Sequence, residues 1–384
     1  GLWNTDVAKT VNVINSDQRS KTPSNNFQNS LSAIIPWKEK LVNVMSFISY
    51  RDDKQDLFIN PAKYVPSLQT EAQNSDMIHQ FLNLKTLETI HSASVGFSKN
   101  SWTFTPEVGV NYTTNKLITD LNGETSGGVQ NFGINYENNL KFKSLKPYAQ
   151  MMANFKKGGF EANLTFPVNF NNITATDSQS LDKSLNKVTY EPRLFARYDL
   201  TSFWKISAFS GISNSFGTIN DIYSGKILLS TNNLSTKDTD IQQSTSKFVG
   251  SALEYRNPLN NIFFNVRYNF NQTDKNILFS YTQDPSNQQN IVEGLNIDNT
   301  AKTNSVRTEL GKYFPKFKTN ASVSYNYSIN NFQQLTNNVL NNVESQNQGY
   351  SVKFNNNYFS WLSVDYNASW AKSLNKTFNN KINS

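Results

Sequence analysis

Strict alternation of apolar and polar residues is the feature that most limits what this chain can fold into. Between residues 102 and 113 the even positions are Trp102, Phe104, Pro106, Val108, Val110 and Tyr112, and the odd positions are Thr103, Thr105, Glu107, Gly109, Asn111 and Thr113. Successive side chains of a strand point to opposite faces of its sheet, so this period of two predicts a β-strand with one apolar face. The pattern recurs in 132–142, 160–170, 262–270, 321–329 and 362–370.

The length of these alternating runs separates two kinds of all-β protein. A soluble sandwich buries the apolar face in a core, whereas a membrane barrel turns it towards lipid, and periodicity alone fits both. The runs are about 10–13 residues long, and outer-membrane strands need about 9–11 residues to cross the bilayer at a tilt, against about 5–6 for an average strand. Strand length therefore favours an antiparallel transmembrane β-barrel.

The connections between the runs are of two kinds, as expected for outer-membrane barrels with short turns at one rim and long loops at the other. We predict tight turns at 36–40, 99–101, 143–146, 201–202, 257–261, 315–316 and 357–359. We predict long polar loops at 52–76, 113–128, 171–187, 214–246 and 331–348. The two kinds alternate cleanly up to residue 146. A missing hairpin is indicated between 155 and 187 and another between 273 and 303, the latter at 289–295. The total is roughly 14–18 strands.

Composition agrees with long amphipathic strands and excludes several other classes. The chain has 27 Phe, 17 Tyr and 6 Trp, which a disordered chain would lack. It has no Cys, so disulfides, Cys-based zinc sites and Cys nucleophiles are excluded. The net charge is +7, but Lys and Arg are scattered, which argues against nucleic-acid binding. The only helical candidates, 74–87 and 219–229, could equally be loop or strand.

Residue types that carry catalysis or bind metal are few and isolated. Neither histidine, His79 or His91, has partners that the sequence can identify. Two acidic groups on predicted loops could hold Ca²⁺, but neither has the spacing of a calcium loop, and a solvated surface is the better interpretation. They are Asp52, Asp53 and Asp56, and Asp238 with Asp240. The sequence therefore predicts no enzyme, no catalytic, cofactor-binding or metal-binding residues and no cofactor, and it leaves the ligand-binding residues unknown.

Charged residues within the runs mostly share the polar face, which in a large barrel lines a wet or plugged lumen. A charge on the lipid face near the midplane would cost about 2–4 kcal/mol. The residues expected to face the lumen are Glu107, Glu137, Lys141, Glu161, Glu191, Arg193, Arg197 and Arg267.

Several stretches together resemble a known family. They are Ile35–Lys38, Leu41–Leu57, Tyr190–Leu200 with Trp204, Asn220–Leu228, Leu253–Leu259 and Phe263–Phe264. These residues resemble the barrel of TonB-dependent-receptor-like outer-membrane proteins, in the variant with a carboxypeptidase-regulatory-like N-terminal domain. The resemblance covers most of the chain and includes no catalytic signature.

The resemblance implies about 22 strands, a plug domain inside the barrel and energy delivered through a periplasmic peptide near the N-terminus. The sequence departs from the family in two places. No plug-like segment precedes the first strands, and the chain ends in Lys381–Ser384 instead of in a strand closing on an aromatic residue. We therefore expect residues 1–384 to be a single β-barrel region that is truncated at both ends and lacks the plug domain.

The expected function is binding or uptake of a nutrient by a TonB-dependent-receptor-like transporter in the bacterial outer membrane. Expected partners are outer-membrane lipid, a plug domain and a periplasmic energy-coupling protein joined through missing segments, and a surface lipoprotein. Two alternatives stay open: a plugless porin or structural barrel, and a secreted soluble all-β protein that binds carbohydrate or acts as an adhesin. The last predicts an apolar face closed into a core.

Overall fold

The structure is a computed structural model that describes residues 17–379, apart from 69, 179–181, 232, 285–288 and 338. The expectation about the C-terminal Lys381–Ser384 lies outside the described residues. Within them the fold is all-β, and all 22 strands belong to one sheet. No helix of the described residues is long and apolar enough to cross a membrane.

The strands are β1 Asp17–Lys21, β2 Ser24–Trp37, β3 Lys40–Asn60, β4 Met77–Val95, β5 Phe97–Lys99, β6 Trp102–Thr125, β7 Gly128–Asn131, β8 Asn138–Lys157, β9 Phe160–Asp177, β10 Lys183–Tyr190, β11 Arg193–Asp199, β12 Trp204–Phe216, β13 Ile227–Ser230, β14 Asn233–Thr236, β15 Gln243–Asn257, β16 Ile262–Lys275, β17 Leu278–Asp284, β18 Gln289–Leu295, β19 Asn299–Phe314, β20 Thr319–Thr336, β21 Val339–Phe359 and β22 Leu362–Asn379. Short 3₁₀ turns occupy Ala62–Tyr64, Pro66–Leu68, Ile134–Tyr136, Ile219–Asp221 and Pro315–Phe317.

Three pairs of these strands are single strands with a local break. β1 and β2 pair with β3 in one register, with Lys21 opposite Asp56 and Ser24 opposite Asp53. β4 and β5 likewise pair with β6 in one register, as do β10 and β11 with β9. Pro23 and Pro192 fall in two of the breaks because proline has no N–H to donate to the ladder.

With each pair counted once, fourteen long antiparallel strands follow one another through the sheet. They are β1–β2, β3, β4–β5, β6, β8, β9, β10–β11, β12, β15, β16, β19, β20, β21 and β22. The fold class and the expected range of strands are thereby confirmed.

Tight turns join these strands at one rim, and mostly longer segments join them at the other. The turns lie at 38–39, 100–101, 158–159, 200–203, 258–261, 315–318 and 360–361. Left-handed backbone at Asn100 and Gly158, each with φ 57°, allows two of them to close. The opposite connections are 61–76, 126–137, 178–182, 217–242, 276–298 and 337–338. The predicted rim asymmetry is confirmed.

Some predicted connections are wrong. Residues 143–146 lie inside β8, so the turn predicted there is wrong. The missing hairpin predicted between 155 and 187 is present, and its turn is at 158–159. The long loop expected at 331–348 is a tight connection between β20 and β21, because both strands continue far beyond their alternating runs. The hairpin expected at 289–295 is present as β18, paired with β17.

The alternating apolar residues stay uncovered on one face of this sheet, here called the outer face. Val108 is 60% exposed, Phe166 42% and Val323 54%, and no second sheet of the described residues packs on them. The alternative of a secreted soluble all-β protein predicts that these side chains are buried in a core, as in a β-sandwich. In the structure they are exposed, which argues against that alternative.

The uncovered apolar residues begin at the tight turns, and they run from Trp102 to Tyr112 on β6 and from Phe160 to Phe170 on β9. Each run has about the 9–11 residues that a tilted strand needs to cross a bilayer. These outer-face residues and their neighbours at the same height are here called the apolar band.

Above the apolar band the chemistry of the two faces is exchanged. Leu140 and Phe142 were expected on the apolar outer face, but they are 1% and 4% exposed on the inner face, in a core with the rim loops. Lys141, expected in the lumen, is exposed on the outer face. Glu137 lies in the loop before β8, after the 3₁₀ turn that contains Tyr136.

The two helical candidates are also resolved. Residues 74–87 are mostly β4. On its inner face Ile78 packs in the buried cluster with the rim loops, while Phe81 lies on the outer face. Because both faces carry apolar residues there, the period of two is lost from the sequence. Residues 219–229 contain one 3₁₀ turn, capped by Thr218 and Asp221, followed by β13.

A charge on the outer face should block insertion, whereas the same charge on the inner face should not. Leu164→Arg places a guanidinium in the apolar band, at a cost of about 2–4 kcal/mol near the midplane. Asn163→Arg, one residue away on the inner face, is the matched control. The folded fraction of each variant in lipid vesicles is measured as a function of urea concentration. The gel mobility of unheated samples reports separately whether the protein has folded. Equal loss in both variants would contradict the assignment of the faces.

Candidate lumenal site

The inner face at the height of the apolar band is a polar surface whose side chains bond to one another across strands. Carboxylates, amides and guanidiniums occur there on neighbouring strands, and several of them are hydrogen-bonded to one another. The contacts are Tyr148 Oη to Glu107 (2.7 Å), Arg197 Nη2 to Glu161 (3.0 Å), Asn169 Nδ2 to Glu191 (3.1 Å) and Asn171 Nδ2 to Thr189 Oγ1 (3.1 Å).

Of the eight charged residues expected in the lumen, six lie on this face. They are Glu107, Glu161, Glu191, Arg193, Arg197 and Arg267. Glu137 and Lys141 do not, because both lie above the apolar band, where the polar face is no longer the inner one.

Aromatic rings lie against glycines of the neighbouring strand on this face. A Cβ added at Gly109 would come within 2.6 Å of the Tyr148 ring, and one at Gly211 within 2.7 Å of the Phe248 ring. Phe263 lies in the same way over Gly311. Because glycine has no Cβ, these rings can occupy the space directly beside its backbone. The sequence shows glycine on the polar face but not which ring occupies the space.

At the rim opposite the tight turns, loops fold inwards over the inner face of the 14-stranded sheet, which is here called the wall. Residues 217–231 and 233–242, here called the loop cap, place Ile219, Ile222, Ile227 and Ile241 against the inner face of the wall. The wall residues that receive them are Leu117, Leu140, Phe142, Ile173 and Ala175. Both clusters of buried apolar residues in the described part of the chain, this one and the one around Val65, lie at this rim and not within the apolar band.

Two buried amides fix the loop cap to the wall through its backbone. Asn138 Nδ2 donates to Gly225 O (3.0 Å) and to Thr119 Oγ1 (2.7 Å), while Asn138 Oδ1 accepts from Gly225 N (2.8 Å). Gln80 Oε1 accepts from Leu228 N (2.9 Å). Such contacts satisfy backbone N–H and C=O groups of the loop cap that do not bond to a neighbouring strand.

The loops also bond to one another as a small sheet. β13 pairs with β14, β14 pairs in parallel with β18, and β17 pairs in parallel with the upper end of β20 at Leu335. The loop cap is therefore joined by backbone hydrogen bonds to a strand far along the wall.

A second loop, residues 61–76 without 69, packs beside the loop cap. Val65 and Leu68 are fully buried with Ile59 and Leu121 of the wall. Burial, and then the hydrogen bond that its hydroxyl donates to Glu71 (2.8 Å), raise the pKa of Tyr136 above its usual value. The phenol therefore keeps its proton, and this hydrogen bond, in alkaline solution where an ordinary tyrosine would ionise.

The inner face of β16 and β19–β22 carries a recess of about 590 Å³. Arg267 and Arg307 lie directly opposite each other in it, and Arg267 stacks over the Phe209 ring at 5.1 Å. The rest of its lining is mainly Asn and Ser, with no Asp or Glu. Paired guanidiniums among amides and hydroxyls can donate several hydrogen bonds to an oxyanion.

The remaining candidates from the sequence are not brought together as a metal site. Within the described residues there is no group of three or more His, Asp or Glu placed to hold a metal ion. His79 lies on β4 between Asp56 (2.8 Å) and Glu124 (3.4 Å) and stacks on Phe58. The remaining acidic candidates form ordinary ion pairs or stay at the surface: Asp53 with Arg51, Asp52 with Lys85 and Asp238 with Lys183.

No family model and no curated protein matches the sequence. Solved structures do match the fold. The copper transporter OprC has a TM-score of 0.58 at 11% identity, covering 96% of this chain and 58% of OprC. The ferric yersiniabactin uptake receptor FyuA from Yersinia pestis has a TM-score of 0.50 at 10% identity, covering 92% and 53%. The siderophore receptor PiuA from Acinetobacter baumannii has a TM-score of 0.50 at 10% identity, covering 94% and 65%.

These neighbours are TonB-dependent receptors of the outer membrane, whose barrels have 22 strands. This chain therefore has the fold of a TonB-dependent receptor barrel, as the sequence resemblance implied. At this level of identity the likeness concerns the fold alone. The chain spans less than two thirds of the length of each of these three proteins. The variant with a carboxypeptidase-regulatory-like domain stays a prediction.

Removing the Asn138 side chain should release the loop cap. Asn138→Ala leaves the Gly225 N–H and C=O without partners, and each buried unsatisfied group costs about 1–3 kcal/mol. The two groups together cost about 2–6 kcal/mol, so we expect trypsin to cleave after Lys226 or Lys237 at least roughly thirtyfold faster in the bilayer-embedded protein. Asn139→Ala, the exposed neighbour on the outer face, is the control. Unchanged protection in Asn138→Ala would show that the contact does not hold the loop cap.

Proposed function

We propose that this chain is the barrel wall of a TonB-dependent-receptor-type transporter that binds a nutrient at the cell surface and admits it through the outer membrane. One observation carries the proposal. A single sheet of strands long enough to cross a bilayer leaves its apolar face uncovered, while its opposite face is polar and is covered by loops at one rim only. That arrangement suits a lipid-facing exterior, a wet lumen and a surface entrance.

We further propose that these strands are one arc of a ring of about 22 strands. Among the described residues β22 pairs with β21 alone, and β1 and β2 pair with β3 alone. Unpaired backbone N–H and C=O groups cost several kcal/mol each in hydrocarbon, so both edges need further strands in a membrane. The coverage of the structural neighbours supports the same proposal.

In the proposed mechanism the wall is passive and the segments around it move. Rim loops capture the solute, the polar inner face guides it, and a plug domain that is a separate segment of the protein gates the passage. Energy would arrive through that plug from a periplasmic partner, and a surface lipoprotein remains a candidate for substrate delivery. The arginine recess at Arg267 and Arg307 is the part of the inner face best suited to an anionic solute.

A gated transporter and an open porin differ in a simple measurement. The protein at its natural length, reconstituted in a planar bilayer, should show no steady ion conductance, because a plug fills the lumen. Removing residues 218–241, which include most of the loop cap, should not create a channel if the plug is the gate. Steady conductance by the unaltered protein would contradict the proposal and favour a plugless porin.

A further inference from the structure

Lysines on neighbouring strands meet side by side on the outer face. Lys85 of β4 is the direct cross-strand partner of Lys116 of β6, and Lys116 is in turn the partner of Lys141 of β8. Lys143 follows two residues after Lys141, on the same face of β8. All four are exposed, and together they are called the lysine row.

The lysine row lies at the upper boundary of the apolar band. On β8 the outer face carries Met151 and Leu145, each 41% exposed, and the next outer residue is Lys143. On β6 the band ends at Tyr112, with Thr114 between it and Lys116. The tight turns are at the other end of these strands, so the lysines lie towards the rim with the long loops.

This arrangement is unfavourable within the protein alone. Like charges directly opposite each other in a sheet repel, since their Cβ atoms are only about 4.5–5.5 Å apart. Lys85 has a carboxylate partner, Asp52, at 3.7 Å. The other cross-strand partners of Lys141 and Lys143 are hydroxyl residues, Thr176 and Thr174. Among the described residues, Lys116, Lys141 and Lys143 form no ion pair, so their charge is free to meet an external anion.

We propose that the lysine row binds the phosphate groups of an anionic lipid headgroup in the outer leaflet. This rests on the proposed function only for the orientation of the wall in the membrane. The band fixes where acyl chains end, so a headgroup phosphate comes to the height of these ammonium groups while its chains lie along Leu145 and Met151. Thr174 and Thr176 add hydroxyl donors beside the lysines. A dissolved phosphate shares the charge but gains nothing from the apolar residues below.

Binding is tested with the full-length protein reconstituted in three kinds of vesicle. They contain phosphatidylcholine alone, phosphatidylcholine with diphosphorylated lipid A, or phosphatidylcholine with the same lipid after both phosphates are removed. Lipid retained on the detergent-extracted protein is counted by native mass spectrometry. Wild type should retain the phosphorylated lipid selectively. Surface lysines are each worth about 1 kcal/mol towards an anionic membrane, so the triple variant K116Q/K141Q/K143Q should lose on the order of 100-fold in affinity.

Two controls make the result specific. K99Q/K156Q/K157Q removes three exposed lysines near the tight turns of the same strands and should leave retention unchanged. K116R/K141R/K143R keeps the charge and should restore binding, and gel mobility before heating confirms that every variant is folded. Excess inorganic phosphate should compete weakly.

Three results would overturn the proposal: equal retention by the triple Gln variant, equal loss in the control variant, or complete displacement by inorganic phosphate. The last would assign the row to a dissolved oxyanion. None of them bears on whether the protein transports a nutrient. Conversely, steady conductance in the planar bilayer would overturn gated transport and leave lipid binding intact.

Discussion

The interaction on which the rest of this structure depends is the backbone ladder between neighbouring strands. In hydrocarbon no water can bond to a free N–H or C=O, so a wall that crosses a bilayer must satisfy these groups within the sheet. The ladder keeps its register even across prolines. Pro23 and Pro192 donate no hydrogen bond, yet their carbonyls accept from Lys54 N and Ile212 N, each at 3.0 Å. Once the register is fixed, every side chain is committed to one face.

The faces then serve two environments along the same strands. At the height of the apolar band the outer face is apolar and the inner face is polar. Nearer the rim with the long loops, the inner face contacts those loops and the outer face contacts water or headgroups. There the apolar residues occupy the alternate positions of the strand that were polar within the band. β9 shows the exchange within a few residues, from exposed Phe170 and buried Asn171 to Asn172 outside and buried Ile173 inside.

This exchange explains which parts of the fold can be predicted from the sequence. Alternation in runs such as 102–112 and 160–170 is enough to find the strands, their faces and the all-β class, because there one environment lies on each side. Alternation is misleading in 132–142, which contains a loop, a 3₁₀ turn and the end of β8 near the long loops. The alternating apolar residues there pack against the rim loops and do not face lipid. Residues 74–87 have no clear period because both faces are apolar. Assigning these faces requires knowledge of the loops that cover them, which local pattern does not contain.

The candidate site was predictable to a similar extent. The polar parity located Glu161, Arg197 and Arg267 on the inner face, since each lies beside the apolar band. The pairing of Arg267 with Arg307 depends on the register between β16 and β19, two strands separated by a long loop. The amide contacts of Asn138 and Gln80 join residues that are far apart in the chain. No single-sequence pattern distinguishes these buried amides among so many exposed Asn and Gln.

The rim loops are joined to one another by backbone hydrogen bonds, which has a consequence for gating. β13, β14, β18 and β17 form a sheet whose far member bonds to β20, and its near side is fixed by Asn138 and Gln80. Opening one loop alone would leave backbone groups on its neighbours unpaired and would expose the apolar residues beneath. The free-energy cost of moving one loop therefore includes contacts made by the other loops. A loop cap built in this way moves as a unit or stays closed. Fast loop-by-loop fluctuation is therefore a poor route for a solute, and passage past this rim requires a ligand or a partner that binds the open state better.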